Sequence, residues 1–199
     1  MIAEWLNDVD AFPNFSFARS LKDQIGDEGT VYIWSPYEMV VLREIRRQMD
    51  DYSEKDPVLA AWLDRITAKG NARVVDMCEL TKRYYFHPMM KGRLSIKYVL
   101  PAVWQADAAL RDDPLFAEYV GHDSNGKLLD PYATLPPLPI GAQEDVVREG
   151  TGAIRVYQEM MFGVSAADPE VRKAYRKLLF QYCRLDTCAM AMIWKHWMR

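Results

Sequence analysis

Cysteine is scarce in this chain. Only Cys78, Cys183 and Cys188 occur in 199 residues. The number is odd, and the spacing fits neither a disulfide framework nor a Cys-x-x-Cys zinc pair. They read as reduced, mostly buried thiols of a cytoplasmic protein. A run of ~18 apolar residues is also missing, which excludes a membrane-spanning helix. The opening Met1-Ile2-Ala3-Glu4-Trp5 lacks the basic and apolar regions of a signal peptide. Charge of one sign is not in excess: the net charge is −3. That excludes a basic nucleic-acid coat and leaves room only for local contacts with phosphates. The three histidines, His87, His122 and His196, form no pair at metal-ligand spacing, which argues against zinc.

What is present suffices for a folded core. Half of the residues are hydrophobic, 12% are aromatic and 27% are charged. These values exclude wholesale disorder and fit a single domain over residues 1–199, or one domain with a long insertion.

Hydrophobic spacing predicts a helix over Asn14–Ile25, closed by Gly26. Thr30–Trp34 reads as a short buried strand. A helix follows, with Ser35 as N-cap, Pro36 at the first helical position and an inner stripe of Val41, Leu42, Ile45 and Met49. Asp56-Pro57 opens another helix through Trp62 to Ile66. A second strand covers Arg73–Val75, and Asp76 caps a helix running to about Phe86. Ser95 caps a short helix over Ile96–Leu100, whose end Pro101 disturbs. Residues 121–141, with three glycines and four prolines, predict a long irregular loop. Gln143–Phe162 has helical spacing. Asp168-Pro169 starts a last helix that could run roughly 30 residues, ~45 Å, to the C-terminus. The pattern is that of a helix-rich α/β fold.

Charge is uneven along the chain. Residues 79–97 carry Lys82, Arg83, Lys91, Arg93 and Lys97 against Glu79 alone. Residues 170–184 carry Arg172, Lys173, Arg176, Lys177 and Arg184 against Glu170 alone. They are either solvated helix faces or two parts of a phosphate-holding surface.

Three acids stand out. Asp186 falls on the inner stripe of the last helix, with Tyr175, Leu178, Leu179, Tyr182, Cys183, Ala189, Met190 and Ile193. A carboxylate there is costly unless paired or metal-bound. It is therefore either a buried Asp satisfied by a neighbouring Arg or backbone group, or a ligand. Glu38 follows the first strand, where ligands of α/β sheets tend to sit. It also completes a capping box with Ser35. Asp76 follows the second strand and reads as a cap, with Glu79 as its reciprocal partner. Acids after strands, plus an acid one turn past Tyr182, suggest two-metal phosphodiester chemistry with Mg²⁺ or Mn²⁺. In that chemistry the Tyr182 hydroxyl would orient the attacking water.

The run Tyr182-Cys183-Arg184-Leu185-Asp186 resembles the Tyr-x-x-x-Asp motif of DEDD-type 3′–5′ exonucleases of the ribonuclease H-like fold. Within that superfamily the chain resembles the bacterial family called Domain of Unknown Function 2779. Residues 34–38, 75–80, 84–88, 95–102, 129–132 (Leu129-Asp130-Pro131-Tyr132) and 182–190 carry the likeness. The resemblance implies a metal-dependent nuclease-like domain acting on DNA or RNA. Glu38 and Asp186 would be metal ligands for Mg or Mn, and Tyr182 would be catalytic with them. Lys91, Arg93 and Lys97 would contact nucleic acid.

The superfamily's first Asp-x-Glu motif has no counterpart here. Asp8-Val9-Asp10 is the nearest approach, and it precedes a Pro-containing turn. The expected fold is thus an incomplete ribonuclease H-like fold, with a short sheet remnant flanked by helices, inactive as given. The alternative is a non-catalytic interaction or self-association module. An apolar strand lacking its neighbour would leave an open edge and expose Trp34, Phe15 or similar apolar surface, which favours a homodimer or occupation of the gap by residues 1–12. Glu38, Asp76 and Asp186 should converge in space if the metal reading holds.

Overall fold

The computed structural model describes residues 3–135, 138–140, 143–145 and 150–199. These contain eight α-helices and two small two-stranded sheets. The chain forms two compact units, Met1–Tyr85 and Phe86–Arg199.

The first unit begins with α1 (Asn14–Ile25). Gly26 ends it at φ 52°, a conformation cheap only for glycine, and donates its N–H to the Lys22 carbonyl. Strand β1 (Val31–Ile33) leads into α2 (Tyr37–Asp51) and α3 (Pro57–Ile66). Asp56 caps α3 by accepting from the Leu59 amide at 2.9 Å, and Pro57 takes the first turn. Strand β2 (Val74–Asp76) pairs parallel with β1, with Val31 opposite Val74 and Ile33 opposite Asp76. Helix α4 (Met77–Tyr84) follows without a linker. Arg73 holds the layout together. Its guanidinium donates to the carbonyls of Ile25, Gly26 and Gly29 at 2.6, 2.7 and 2.7 Å. The end of α1 is thereby tied to β2.

One core fills this unit: Phe15, Ile33, Met39, Leu42, Ile45, Met49, Leu59, Trp62, Leu63 and Ile66 among others. Each fully buried Leu or Ile contributes about 2 kcal/mol. Phe15 is buried and Trp34 half-buried, so neither forms the open apolar surface predicted for them. On α2 the buried stripe is Met39, Leu42, Ile45 and Met49, with Val41 only half-buried. The start of α2 also differs from the predicted cap. Ser35 adopts φ 77°, Pro36 stands at the N-cap, and no side chain caps the helix. The Ser35 amide donates instead to Asp76 Oδ1 at 3.1 Å, because the tight exit from β1 brings it to the neighbouring strand.

The second unit contains α5 (Ile96–Ala106), α6 (Ala108–Arg111), β3 (Leu138–Ile140), β4 (Gln143–Asp145), α7 (Gly150–Phe162) and α8 (Pro169–Trp197). Single 3₁₀ turns cover Pro88–Met90, Ala117–Tyr119 and Pro131–Thr134. Helices α5 and α7 both pack along α8. Helix α5 does not stop near Pro101. Pro removes one helical donor, but Val99, Leu100, Ala102, Val103 and Trp104 are all buried. Their burial outweighs the roughly 3 kcal/mol that an internal Pro costs.

Residues 143–145, predicted as the start of a helix, form a strand antiparallel to β3. Val146 and Val147 lie outside the described residues, as do Pro136, Pro137 and Gly141 of the predicted loop. The rest of that segment is less irregular than its composition predicts, with a His122–Leu128 bridge and the Pro131–Thr134 turn.

Helix α8 runs 29 residues, capped by Asp168, whose carboxylate accepts from the Glu170 and Val171 amides. Its buried stripe is Leu178, Leu179, Tyr182, Leu185, Ala189, Met192 and Ile193. Leu185 and Met192 replace the predicted Cys183 and Met190: Cys183 is exposed and Met190 half-buried. Cys78 and Cys188 are half-buried too, so none of the thiols is the buried group that scarcity predicts. The helix end is anchored by charge. Asp107 Oδ2 meets His196 Nδ1 at 3.0 Å and Asp107 Oδ1 accepts from Arg199 at 2.7 Å, while Lys195 pairs with Asp113. No helix of the described residues is long and apolar enough to cross a membrane.

Candidate functional site

Tyr182 and Asp186 lie one helical turn apart and so face the same side of α8. The first turn of α5 brings Lys97 to them. Ser95, the N-cap of α5, fixes where that turn begins. A third element completes the cluster. Asp130 accepts the Tyr132 amide at 2.9 Å and Pro131 fixes the backbone, so a 3₁₀ turn presents Tyr132.

The four side chains meet closely. Lys97 Nζ donates to Asp186 Oδ1 at 2.9 Å, and the Tyr132 hydroxyl donates to the same oxygen at 2.6 Å. The ammonium also stands 3.3 Å from the Tyr132 ring centroid and 4.5 Å from that of Tyr182. Such cation–π contacts strengthen as water is removed. Both tyrosines are buried, whereas the Lys97 and Asp186 side chains keep 27% and 34% of their exposure. Burial pushes the Lys97 ammonium below its ordinary pKa, against the opposing pull of Asp186. Burial, reinforced by the Asp186 carboxylate, drives the Tyr132 phenol far above its ordinary value. Tyr132 therefore stays a neutral donor, and Asp186 is held by one cation and one hydroxyl.

Three of the residues singled out in the sequence thus come together: Tyr182, Asp186 and Lys97. Tyr132 and its positioning residue Asp130 were missed as site residues. Their signal was an Asp-Pro-Tyr turn in a segment read as irregular. Lys91 and Arg93 take a different course. Lys91 closes the 3₁₀ turn with φ 51°, and Arg93 lies over the Tyr98 ring at 4.6 Å while donating to its hydroxyl. Both are exposed, as are Met89 (45%) on the same turn and Phe86 (75%) two residues before it. Lys97 reaches into the α5–α8 seam instead of joining that surface.

Glu38 and Asp76 belong to the first unit and Asp186 to the second. Asp76 Oδ1 accepts three backbone amides, from Ser35, Cys78 and Glu79, at 3.1, 2.9 and 3.2 Å. The reading of Asp76 as a cap therefore fits its geometry. Glu38 is exposed as a residue, yet partial desolvation of its carboxyl raises it above its ordinary value; the nearby Asp76 charge adds to this, and hydrogen bonds from its own and the Trp34 amides oppose it.

The donor set at Asp186 does not suit Mg²⁺ or Mn²⁺ as it stands. These ions take several oxygen ligands, and Oδ1 is already committed to an ammonium and a hydroxyl. Among the described residues, no group of three or more His, Cys, Asp and Glu side chains comes together as a metal site would need.

Fold and site define a helix-rich α/β protein with a lysine–carboxylate pair walled by tyrosines. Residues 3–95 match the family described as Domain of unknown function (DUF2779). The match takes in Glu38, Asp76, Lys91 and Arg93 and ends two residues before Lys97. The stretches holding Tyr132, Tyr182 and Asp186 lie beyond it. No curated protein and no solved structure matches the chain.

Proposed function

We propose that the chain is a nuclease-like module that binds single-stranded nucleic acid through the turn Phe86–Arg93 without cutting it. The observation that carries this reading is an exposed aromatic ring in the same short segment, residues 86–93, as two exposed cations. Phe86 offers a face on which any base can stack, and Lys91 and Arg93 offer charge to the backbone. The exposed Met89 adds apolar area beside them. The absence of cutting is supported by Asp186, whose oxygen is taken up by Lys97 and Tyr132. The ribonuclease H-like fold and the exonuclease likeness belong to this proposal, as what the Tyr182–Asp186 motif implies.

Binding to a labelled single-stranded oligonucleotide tests the reading. Affinity should fall steeply with salt, because phosphate contacts release counterions. The Lys91→Glu/Arg93→Glu pair should remove retention, and Phe86→Ala should weaken it at every salt concentration. Unchanged affinity in both variants would overturn the assignment to this turn and point to the basic run on α8. The oligonucleotide should stay intact with Mg²⁺ or Mn²⁺ present; shortening from its 3′ end would restore the exonuclease reading.

A further inference from the structure

We infer that the Lys97 ammonium is the resident cation of the Asp186 site and holds the position that a divalent metal ion would otherwise take. This rests on the cluster alone and stands whether or not the turn at Phe86–Arg93 binds nucleic acid. Three observations converge. The ammonium is 2.9 Å from Asp186 Oδ1, in direct ion-pair contact. Two tyrosine rings flank it, at 3.3 and 4.5 Å, giving the charge a second set of partners that a hydrated metal ion would not use. The Tyr132 hydroxyl takes a further lone pair of the same oxygen at 2.6 Å.

A metal binding at Oδ1 would have to expel an ammonium that is covalently tethered to α5. The tether matters, because a tethered cation competes at a high effective concentration without loss of translational freedom. Mg²⁺ also sheds its water reluctantly and needs near-octahedral oxygen ligands. Asp186 brings one carboxylate, and no group of three or more His, Cys, Asp and Glu side chains among the described residues joins it to supply that shell. The Tyr–Lys–Asp–Tyr cluster is therefore a neutral, metal-free joint between α5, α8 and the Pro131–Thr134 turn.

The full chain, labelled with ¹³C at lysine Cε, tests this directly, with the Lys97 signal assigned through Lys97→Arg. Mn²⁺ bound at Asp186 would lie within a few ångströms of Lys97 and erase its signal. The expected result is that the Lys97 signal persists at Mn²⁺ concentrations that broaden signals of exposed lysines. Selective early loss of the Lys97 signal would overturn the inference. A double-mutant cycle adds an independent measure without metal. Lys97→Met and Asp186→Asn should each raise the unfolding equilibrium constant, roughly tenfold, and the double variant should cost less than the two combined, because each single change strands a charge or its partner. Strict additivity would also overturn it.

Discussion

Two carboxylates in this chain commit one oxygen each, in opposite ways. Asp76, at the junction of β2 and α4, spends one oxygen on three backbone amides, two of them within three residues of it. Asp186, on the face of α8, spends one oxygen on the side chains of Lys97 and Tyr132, 89 and 54 residues away. The first arrangement comes with the strand-to-helix turn. The second exists only once α5, α8 and the Pro131–Thr134 turn have packed. A junction acid thus holds two of its three amides by local geometry and owes the third, from Ser35, to the pairing of β1 with β2. A seam acid reports whether that unit is assembled.

The largest effect that would sharpen this contrast is at the seam. Asp186→Ala leaves a half-buried ammonium without its partner. It should cost about 2 kcal/mol, below the 3–5 of a fully buried pair because both side chains keep some solvent. Urea unfolding of the purified variant measures it, and hydrogen exchange should accelerate on α5 and α8. Losing nothing would mean that the pair is no more than a surface contact.

Asp76→Ala should cost less, about 1 kcal/mol, the usual value of a helix N-cap. Serine at the same position should recover part of that loss, since its hydroxyl can accept from the amides of α4. A cost above that of Asp186→Ala would reverse the ranking of local against long-range partners.

A smaller, pH-dependent effect belongs to the anchor at the end of α8. Burial opposes ionisation of Asp107, but the hydrogen bond with His196 and the charges of Arg199 and His196 hold its pKa below the ordinary value. Its contribution is therefore present above the unfolded pKa of about 3.9. It fades as pH falls through the lower folded value. Thermal melts of wild type and Asp107→Asn should differ at pH 6 and converge towards pH 2. A gap that persists at pH 2 would assign the difference to packing and not to charge.

The smallest effect is expected at Glu38, whose pKa is raised and whose ionised form is therefore disfavoured by folding. Below the unfolded value both states are protonated and nothing is lost. Above the folded value the chain bears the cost, so Glu38→Gln should raise the melting temperature slightly at pH 7 and not at pH 3. A drop at pH 7 would show that the carboxylate itself is needed.

Much of the local structure was legible because its causes are local. Helix α1 and its Gly26 stop, the Asp56-Pro57 start of α3, the cap at Asp76 and the Asp168-Pro169 start of α8 each follow from a few adjacent residues. Tyr182 and Asp186 share a helix face because they are one turn apart, and that too is in the sequence. The errors arose where a distant partner decided the outcome. Burial of five residues carried α5 through Pro101, and pairing with β3 made a strand of Gln143–Asp145 despite its helical spacing. Ser35 does not cap α2, because it adopts φ 77° with its amide bonded to Asp76 across the sheet, outside the extended backbone of an N-cap.

By itself, then, the sequence determined where α1, α3, α4 and α8 begin, most of the apolar faces, and that Asp186 needed a partner. Only the tertiary structure decided that the partner is Lys97, assisted by Tyr132. Nothing in the spacing of residues 97, 132 and 186 links them; a half-buried carboxylate accepts whichever donors packing brings within about 3 Å.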